Sequence, residues 1–384
     1  MKYKITDLFE LKMGKTPSRS NPNYWNGTNV WLSVSDLSSS GKYISCSKER
    51  ITEQAIDESK IQMIPKDTVV MSFKLSLGKV SITTHNMYTN EAIIAFVDKK
   101  SEKVDPSYLY YWCLSQNWEK YGNKAVMGVT LNKKTLTSLS IELPPYELQK
   151  RIVKRLDLLA NLLEAKNIQL QSLQQLVQSR FIEMFGDTNN SMEWPIANVE
   201  SIAKVKVGLV IKPTRFYSSS PTRYKAIRGL NISPFCINDT NWVYFTEDGA
   251  KSNKKTEVKE NDVVVVRSGA PGTAAVVTKE YAGSNAIDVL IVEPDLTQID
   301  PTYLCAYTNF PHGLKQISKG SGGAAQKHFN VEKYKNLTIF IPPLEKQKLF
   351  SIEKKEIDKS KLAIQKSIDE LETLKKKLMQ EYFG

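Results

Sequence analysis

The chain contains one long stretch twice. Residues 143–186 return as 341–384 under a single shift of 198 positions (342 minus 144 for the first proline), with no gap. Pro144, Pro145, Glu147, Gln149, Lys150, Ala165, Leu173, Glu183, Phe185 and Gly186 recur as Pro342, Pro343, Glu345, Gln347, Lys348, Ala363, Leu371, Glu381, Phe383 and Gly384. A repeat of this length restricts the fold to one built from two like halves.

Each copy opens with a strand-like run that ends in two prolines, Ser140 to Pro145 and Thr338 to Pro343. The residue before a proline avoids the helical region, and proline suits the first helical position, so a strand stops and a helix starts there. Behind the prolines, apolar residues recur at alternating steps of four and three, the spacing of a coiled-coil seam. In the first copy the seam reads Ile152, Leu156, Leu159, Leu163, Lys166, Leu170, Leu173, Val177, Arg180 and Met184. In the second it reads Phe350, Lys354, Ile357, Lys361, Ile364, Ile368, Leu371, Lys375, Leu378 and Tyr382. Neither run contains an internal Gly or Pro, and both close on Phe-Gly, where glycine suits the position past a helix end. About 38 residues at ~1.5 Å each predict rods of roughly 57 Å. The polar seam positions of the two copies do not coincide, so the helices read as each other's partners. The plainer alternative is two separate amphipathic helices, each lying on its own domain.

Net charge is +12 and the pI is near 9.2, a balance that favours a polyanionic partner. No apolar run is long enough to cross a membrane, and Met1 to Asp7 lacks an apolar signal core, which predicts a cytoplasmic protein. Cys46, Cys113, Cys236 and Cys305 form no C-x-x-C pair and read as buried thiols, not disulfides or zinc ligands.

Residues 1–142 and 187–340 are predicted as two related globular segments. Short β-type runs fall at Val30 to Val34, Thr68 to Phe73, Lys79 to Thr84, Ala92 to Val97 and Leu139 to Leu143, with one helix started by Asp105-Pro106-Ser107. The second segment repeats this frame. Gly14 corresponds to Gly208, Asp67 to Val70 to Asn261 to Val264, Gly78 to Gly272, and Thr89-Asn90 to Ser284-Asn285. Asp105 to Leu109 corresponds to Asp300 to Leu304, and Leu131-Asn132 to Phe329-Asn330, while the loops between the matches differ. The predicted architecture is α+β: two similar α/β domains separated by two long helices that form an antiparallel coiled coil with pseudo-two-fold symmetry.

Duplex DNA is itself pseudo-two-fold, and paired readers engage half-sites about one helical turn apart. Different loops on like domains would then read different half-sites. Candidate contacts in the first segment are Lys15, Arg19, Lys74, Lys79, Lys124 and Lys133. Those in the second are Lys212, Arg215, Arg223, Arg228, Arg267, Lys319, Gln326 and Lys327. Arginine reads guanine bidentately, glutamine reads adenine, and lysine mostly neutralises phosphate. Each of these side chains has the bland reading of an ordinary solvated charge beside it.

The whole chain resembles the specificity subunit of a type I restriction–modification enzyme. The likeness rests on the repeated Pro-Pro helix starts at 144–150 and 342–348, the helices behind them, the Phe-Gly endings and the paired Asp-Pro-Ser/Thr-Tyr-Leu segments. It implies two target-recognition domains, 1–142 and 187–340, each reading half of a bipartite site on double-stranded DNA. It implies spacer helices at 143–186 and 341–384 that dock two methyltransferase subunits, with restriction subunits joining through the complex. Recognition loops vary most within that family, so no contact residue carries over.

Catalytic chemistry is not legible. Asn21-Pro22-Asn23-Tyr24 lacks the second proline of an amino-methyltransferase site and reads as a turn. Gly320 to Gly323 lacks the Lys-Ser/Thr of a phosphate-binding loop. His85, His312 and His328 have no metal-ligand spacing, and neither cofactor nor metal is expected. The competing reading is a non-catalytic coiled-coil scaffold that joins two protein-binding domains.

Overall fold

The computed structural model describes residues 1–74, 76–121, 123–125, 128–131, 133–319 and 329–384. The chain divides into two compact units, Met1–Asn167 with Lys366–Gly384, and Ile168–Gln365. The first unit therefore holds the start of one long helix (Tyr146–Phe185) and the end of the other (Leu344–Phe383). The second unit holds the complementary halves, so the helices run antiparallel.

In the first unit the main sheet has the order Phe9–Met13, Ile93–Asp98, Val69–Ser72, Val80–Thr83, Tyr43–Ile44. The second unit repeats it as Ala203–Val207, Val289–Pro294, Val263–Val266, Ala274–Val276. The central strands are buried at every residue because both faces are covered. Alternation sorts their side chains. Val69 and Met71 face the helix Pro106–Ser115, while Val70 faces Val30, Leu32 and Ile44. Val263 and Val265 pack under the helix Pro301–Asn309, and Val264 and Val266 meet Ile227, Ile232 and Ile237.

A smaller sheet covers the second face in each unit, Glu49–Ile51 with Trp25–Leu32 and Tyr88–Thr89, and Val243–Tyr244 with Lys225–Ile227 and Asn285–Ala286. Each contains one parallel pairing, Leu32 to Thr89 and Ile227 to Ala286. The units diverge at the sheet edge. Tyr43–Ile44 adds a parallel strand in the first, whereas the second folds a hairpin from Ile232–Ser233 and Cys236–Ile237.

Three sequence expectations are corrected. Trp25–Leu32 begins well before Val30, because Asn26, at φ 63, and a register shift between Trp25 and Asn29 give a bulged start that reads as a turn. The hydrogen bonds Lys15 N–Thr89 O and Leu209 N–Ala286 O match Thr89-Asn90 to Ala286-Ile287, not to Ser284-Asn285. The connection from Val277 to Ala286 is longer than that from Thr83 to Thr89, which displaced the alignment. Cys113 and Cys305 are buried as expected, but Cys46 and Cys236 are exposed.

The first turns of the two long helices share a buried clamp. Gln149 and Gln347 are 1% and 0% exposed. Gln149 Oε1 accepts from the Asp105 amide at 2.9 Å, and its Nε2 donates to the carbonyls of Lys103 (3.0 Å) and Pro144 (2.9 Å). Gln347 does the same for Asp300 (2.9 Å), Gln298 (3.3 Å) and Pro342 (2.8 Å). Asp105 and Asp300 in turn cap their helices, each accepting two amides. The hydroxyls of Tyr108 and Tyr303 each donate at 2.9 Å to the last carbonyl of the strand that leads into the long helix, Glu142 or Phe340. Burial raises the Tyr108 phenol to about 12.

Along the helices, Ile152, Leu156, Leu159, Val177, Phe350, Ile364 and Ile368 are buried. Leu163, Leu170, Leu173, Ile357, Leu371 and Leu378 are half-buried. Several polar seam positions find partners instead. Arg180 clamps Glu353 bidentately at 2.7 and 3.0 Å, and Arg155 donates to the Tyr382 hydroxyl at 3.0 Å. Lys354 pairs with Asp358 at 2.5 Å beneath the Phe235 ring. Near its end the first helix leaves the alternating spacing. Phe181 and Phe185, one turn apart, enter the core of the second unit and stack around Tyr303 and Phe350.

Candidate nucleic-acid interface

The main-sheet strands of each unit have one end at the glutamine clamp and the other at a cluster of loops. In the first unit the far end gathers Gly14-Lys15, hydrogen-bonded to Ile93 and Thr89, and the turn from Ser72 to Lys79. Leu131 joins it through Phe73 O at 3.0 Å. In the second unit the same bonds hold Gly208-Leu209 to Val289 and Ala286, the turn from Val266 to Thr273, and Phe329 to Arg267 O at 3.0 Å. Gly78 and Gly272 take φ of 74 and 92, which the turn requires and a side chain there would strain.

The candidate cations fall into two groups. Lys15, Lys74, Lys79, Lys212, Arg228 and Arg267 lie at the loop end. Lys15 donates to Ser59 O at 2.7 Å and its head stays exposed. Lys74 is half-buried with its ammonium 5.4 Å over Phe73, and Lys79 and Lys212 are exposed. Arg228 is half-buried, gives one Nη to Asn241 O, and keeps a buried Nε without a partner. None of these five has a carboxylate partner among the described residues.

Arg267 differs. Its side chain is 14% exposed, held by Asp288 at 2.9 Å and by Phe329 O at 3.1 Å, so it braces the loop end from within. Its positional counterpart is the buried apolar Phe73.

Arg19, Arg215 and Arg223 flank the small sheets and lie over aromatic rings: Trp25 at 3.9 Å, Phe216 at 4.6 Å and Tyr224 at 4.8 Å. Arg19 is bidentate to Glu49, which holds the Glu49 carboxyl below its ordinary value through hydrogen bonding. Arg223 lies 3.8 Å from Glu247. The side chains of Lys124, Lys133 and Lys319, and residues Gln326 and Lys327, lie outside the described residues.

Sequence reasoning by residue type selected Arg228 but passed over Leu230 in the same turn, after the strand Lys225–Ile227, and passed over the whole turn that follows the strand Trp25–Leu32. These turns are built alike. The Ser33 amide donates to Asp36 Oδ2 at 2.8 Å, and the Arg228 amide to Asn231 Oδ1 at 3.1 Å. Asp36 and Asn231 are buried, while the turns expose Ser35 and Leu230. An exposed leucine carries no signal in a sequence, where it reads as core.

Among the described residues no group of three or more His, Cys, Asp and Glu could hold a metal, and no helix is long and apolar enough to cross a membrane.

The family model for the type I restriction modification DNA specificity domain matches residues 1–175 and again 194–377. The type I restriction enzyme MjaIX specificity subunit of Methanocaldococcus jannaschii is 24% identical over 364 residues, covering 88% of this chain and 82% of that protein. The MjaVIII specificity subunit of the same organism is 22% identical over 411 residues, covering 98% and 90%. Among solved structures, the type I system S subunit from M. genitalium superposes with a TM-score of 0.58 at 13% identity, over 100% of this chain and 96% of that one. A chain from a study of complex assembly and conformational transition in the type I R-M system gives 0.64 at 14%, over 100% and 97%. At such identities these two structures speak for the fold.

Proposed function

We propose, because this chain belongs to the type I restriction–modification DNA specificity family, that it reads a bipartite site on duplex DNA, one half with each unit. It is a specificity subunit, and methyl transfer and cleavage fall to its partners. In this reading residues 1–142 and 187–340 are the two reading domains. The segments 143–186 and 341–384 set the distance between half-sites and dock two methyltransferase subunits, and restriction subunits join through that complex.

The observation that carries the reading is the match between the units at their clamps and the mismatch at their loop ends. Where the long helices start, Gln149 and Gln347 make the same three hydrogen bonds. At the far ends the same backbone frame holds unlike side chains. One scaffold with two sets of tips is what reading two different half-sites requires.

Docking of two copies of one partner is supported by what packing leaves unexplained in the repeat. Gln149 and Gln347 are buried and recur because each satisfies three backbone groups. Glu147 and Glu345 recur too, yet their side chains are 77% and 86% exposed, in short-range pairs with Lys150 and Lys348. A helix's first turn favours an acid by only about 0.3–1 kcal/mol. An identical exposed pair at two equivalent places fits one partner bound twice.

The test is binding of the chain, with its methyltransferase partner, to a bipartite duplex identified from the methylation pattern it produces. Affinity should exceed that for random duplex by about a thousand-fold or more and fall steeply with salt. No preference for any duplex would defeat the reading, and salt-insensitive association would favour the scaffold.

A further inference from the structure

We infer that the turn after the central strand of each small sheet is a base-reading element, and that Leu230 is its reading residue in the second unit, contacting the 5-methyl group of a thymine. The inference rests on the DNA-reading function proposed above.

A single exposed leucine is ordinary on a protein surface. Leu230, at 76% exposure, is set apart by where it stands and how it is held. The turn is fixed from beneath by Asn231, which is fully buried. Its side chain accepts the Arg228 amide at 3.1 Å and donates to Thr240 O at 2.7 Å, and its own carbonyl accepts the Asn238 amide at 2.7 Å. Leu230 is therefore presented by an anchored backbone.

The turn also stands at the loop end. Position 229 lies against Val266, the last residue of the central main-sheet strand, and Ile227 O accepts from Ile287 at 2.8 Å. The segment 286–288 is bonded on its other side to Leu209, whose loop continues to the exposed Ile211 and Lys212. An exposed apolar tip thus sits among Arg228 and Lys212, cations without carboxylate partners among the described residues. A protein partner would need its own acidic rim to match that surround. Duplex DNA supplies the rim as phosphate, and its major groove presents one apolar group, the thymine methyl.

The first unit supplies the control within the same molecule. There Asp36, also buried, holds the Ser33 amide and hydroxyl at 2.8 and 2.6 Å and the Lys48 amide at 3.0 Å. The residue in the place of Leu230 is Ser35, whose hydroxyl lies 2.8 Å from that of Ser33. The anchor is common to both units, while one tip offers hydroxyls and the other a branched apolar side chain. Two half-sites of different sequence call for that difference.

The experiment uses the full chain with its methyltransferase partner and the cognate duplex, replacing each thymine in turn by deoxyuridine. One replacement should weaken wild-type binding roughly four-fold, the worth of a buried methyl. Leu230→Ser should lose about as much on the unmodified duplex and be indifferent to that replacement, while Leu230→Met keeps the preference. Binding to random duplex and the melting temperature should not move. Equal cognate binding by wild type and Leu230→Ser would overturn the inference, as would an equal loss on random duplex. A loss in Leu230→Ser with no response to any deoxyuridine would overturn the methyl contact in favour of a wedge between base steps. Failure of the wild type to prefer any duplex would instead defeat the DNA-reading proposal itself.

Discussion

In the first unit the last residues of a long helix dock by half-buried side chains, with Phe383 tilted against Tyr108 at 5.1 Å and Met379 and Tyr382 beside it. In the second unit the aromatic side chains of the equivalent helix end, Phe181 and Phe185, are fully buried. Phe185 meets Tyr303 at 4.7 Å, and Phe181, in the place of Met379, is ringed by Tyr303, Phe310, His312 and Phe350 at 5.1–5.5 Å. Yet in the glutamine clamps beside them Gln149 and Gln347 make the same three hydrogen bonds. Buried polar contacts tolerate no drift, because each unmatched group is penalised in full. Apolar packing accepts other residues of suitable volume, and exposed tips are constrained least. The two units therefore agree most where they are polar and buried, and differ most where they are exposed.

The sharpest break of that comparison is Phe181→Ala, expected to cost about 3–5 kcal/mol in urea unfolding, against less than half of that for Met379→Ala. Equal losses would mean that the two helix ends are anchored alike. Next come Gln149→Leu and Gln347→Leu, each leaving three backbone groups without their side-chain partner and each expected to cost roughly 2–4 kcal/mol. Here the comparison predicts equality, and a clear inequality would show the clamps to be unlike.

His312 has an effect confined to the second unit. Burial holds its imidazole below the ordinary 6.5, while Nε2 bonds Gly186 O at 3.1 Å. Between the lowered folded value and 6.5 the unfolded chain binds more protons than the folded one. Stability is thus intact above 6.5 and declines as pH falls toward the folded value. Melting temperature measured across that range should slope downward for wild type and more weakly for His312→Leu. The smallest expected change is in Glu147→Ala and Glu345→Ala, within about 0.5 kcal/mol, since exposed pairs contribute little. A marked loss of methyltransferase binding in a pull-down, with stability unchanged, would support the docking role.

Much of this was legible in the residues themselves. Alternating apolar spacing marked the seam from Ile152 to Val177 and from Phe350 to Leu378, because a helix places such positions on one face whatever surrounds it. Asp105-Pro106 and Asp300-Pro301 announced helix starts for the same local reason. The repeat also flagged Gln149 and Gln347 without explaining them. Their partners Lys103, Asp105, Gln298 and Asp300 are distant in sequence and meet them only when sheet and helix close.

Charge is where residue type stops short. Arg267 and Lys79 look equivalent as cations in a sequence. The fold turns one inward onto Asp288 and leaves the other exposed: Arg267 follows the strand Val263–Val266 directly, whereas Lys79 comes just before the strand Val80–Thr83. Leu230 is the converse, an apolar residue that a sequence assigns to the core and the fold places at a tip.

By itself, then, the sequence determined two like halves, two long antiparallel-compatible helices and a basic chain, since each follows from periodicity, repetition or composition within one stretch. Tertiary structure alone decided which charges remain available, which recurring side chains are buried clamps and which turns face outward. Those outcomes depend on which distant segments come into contact, and burial and hydrogen bonding exist only once they have.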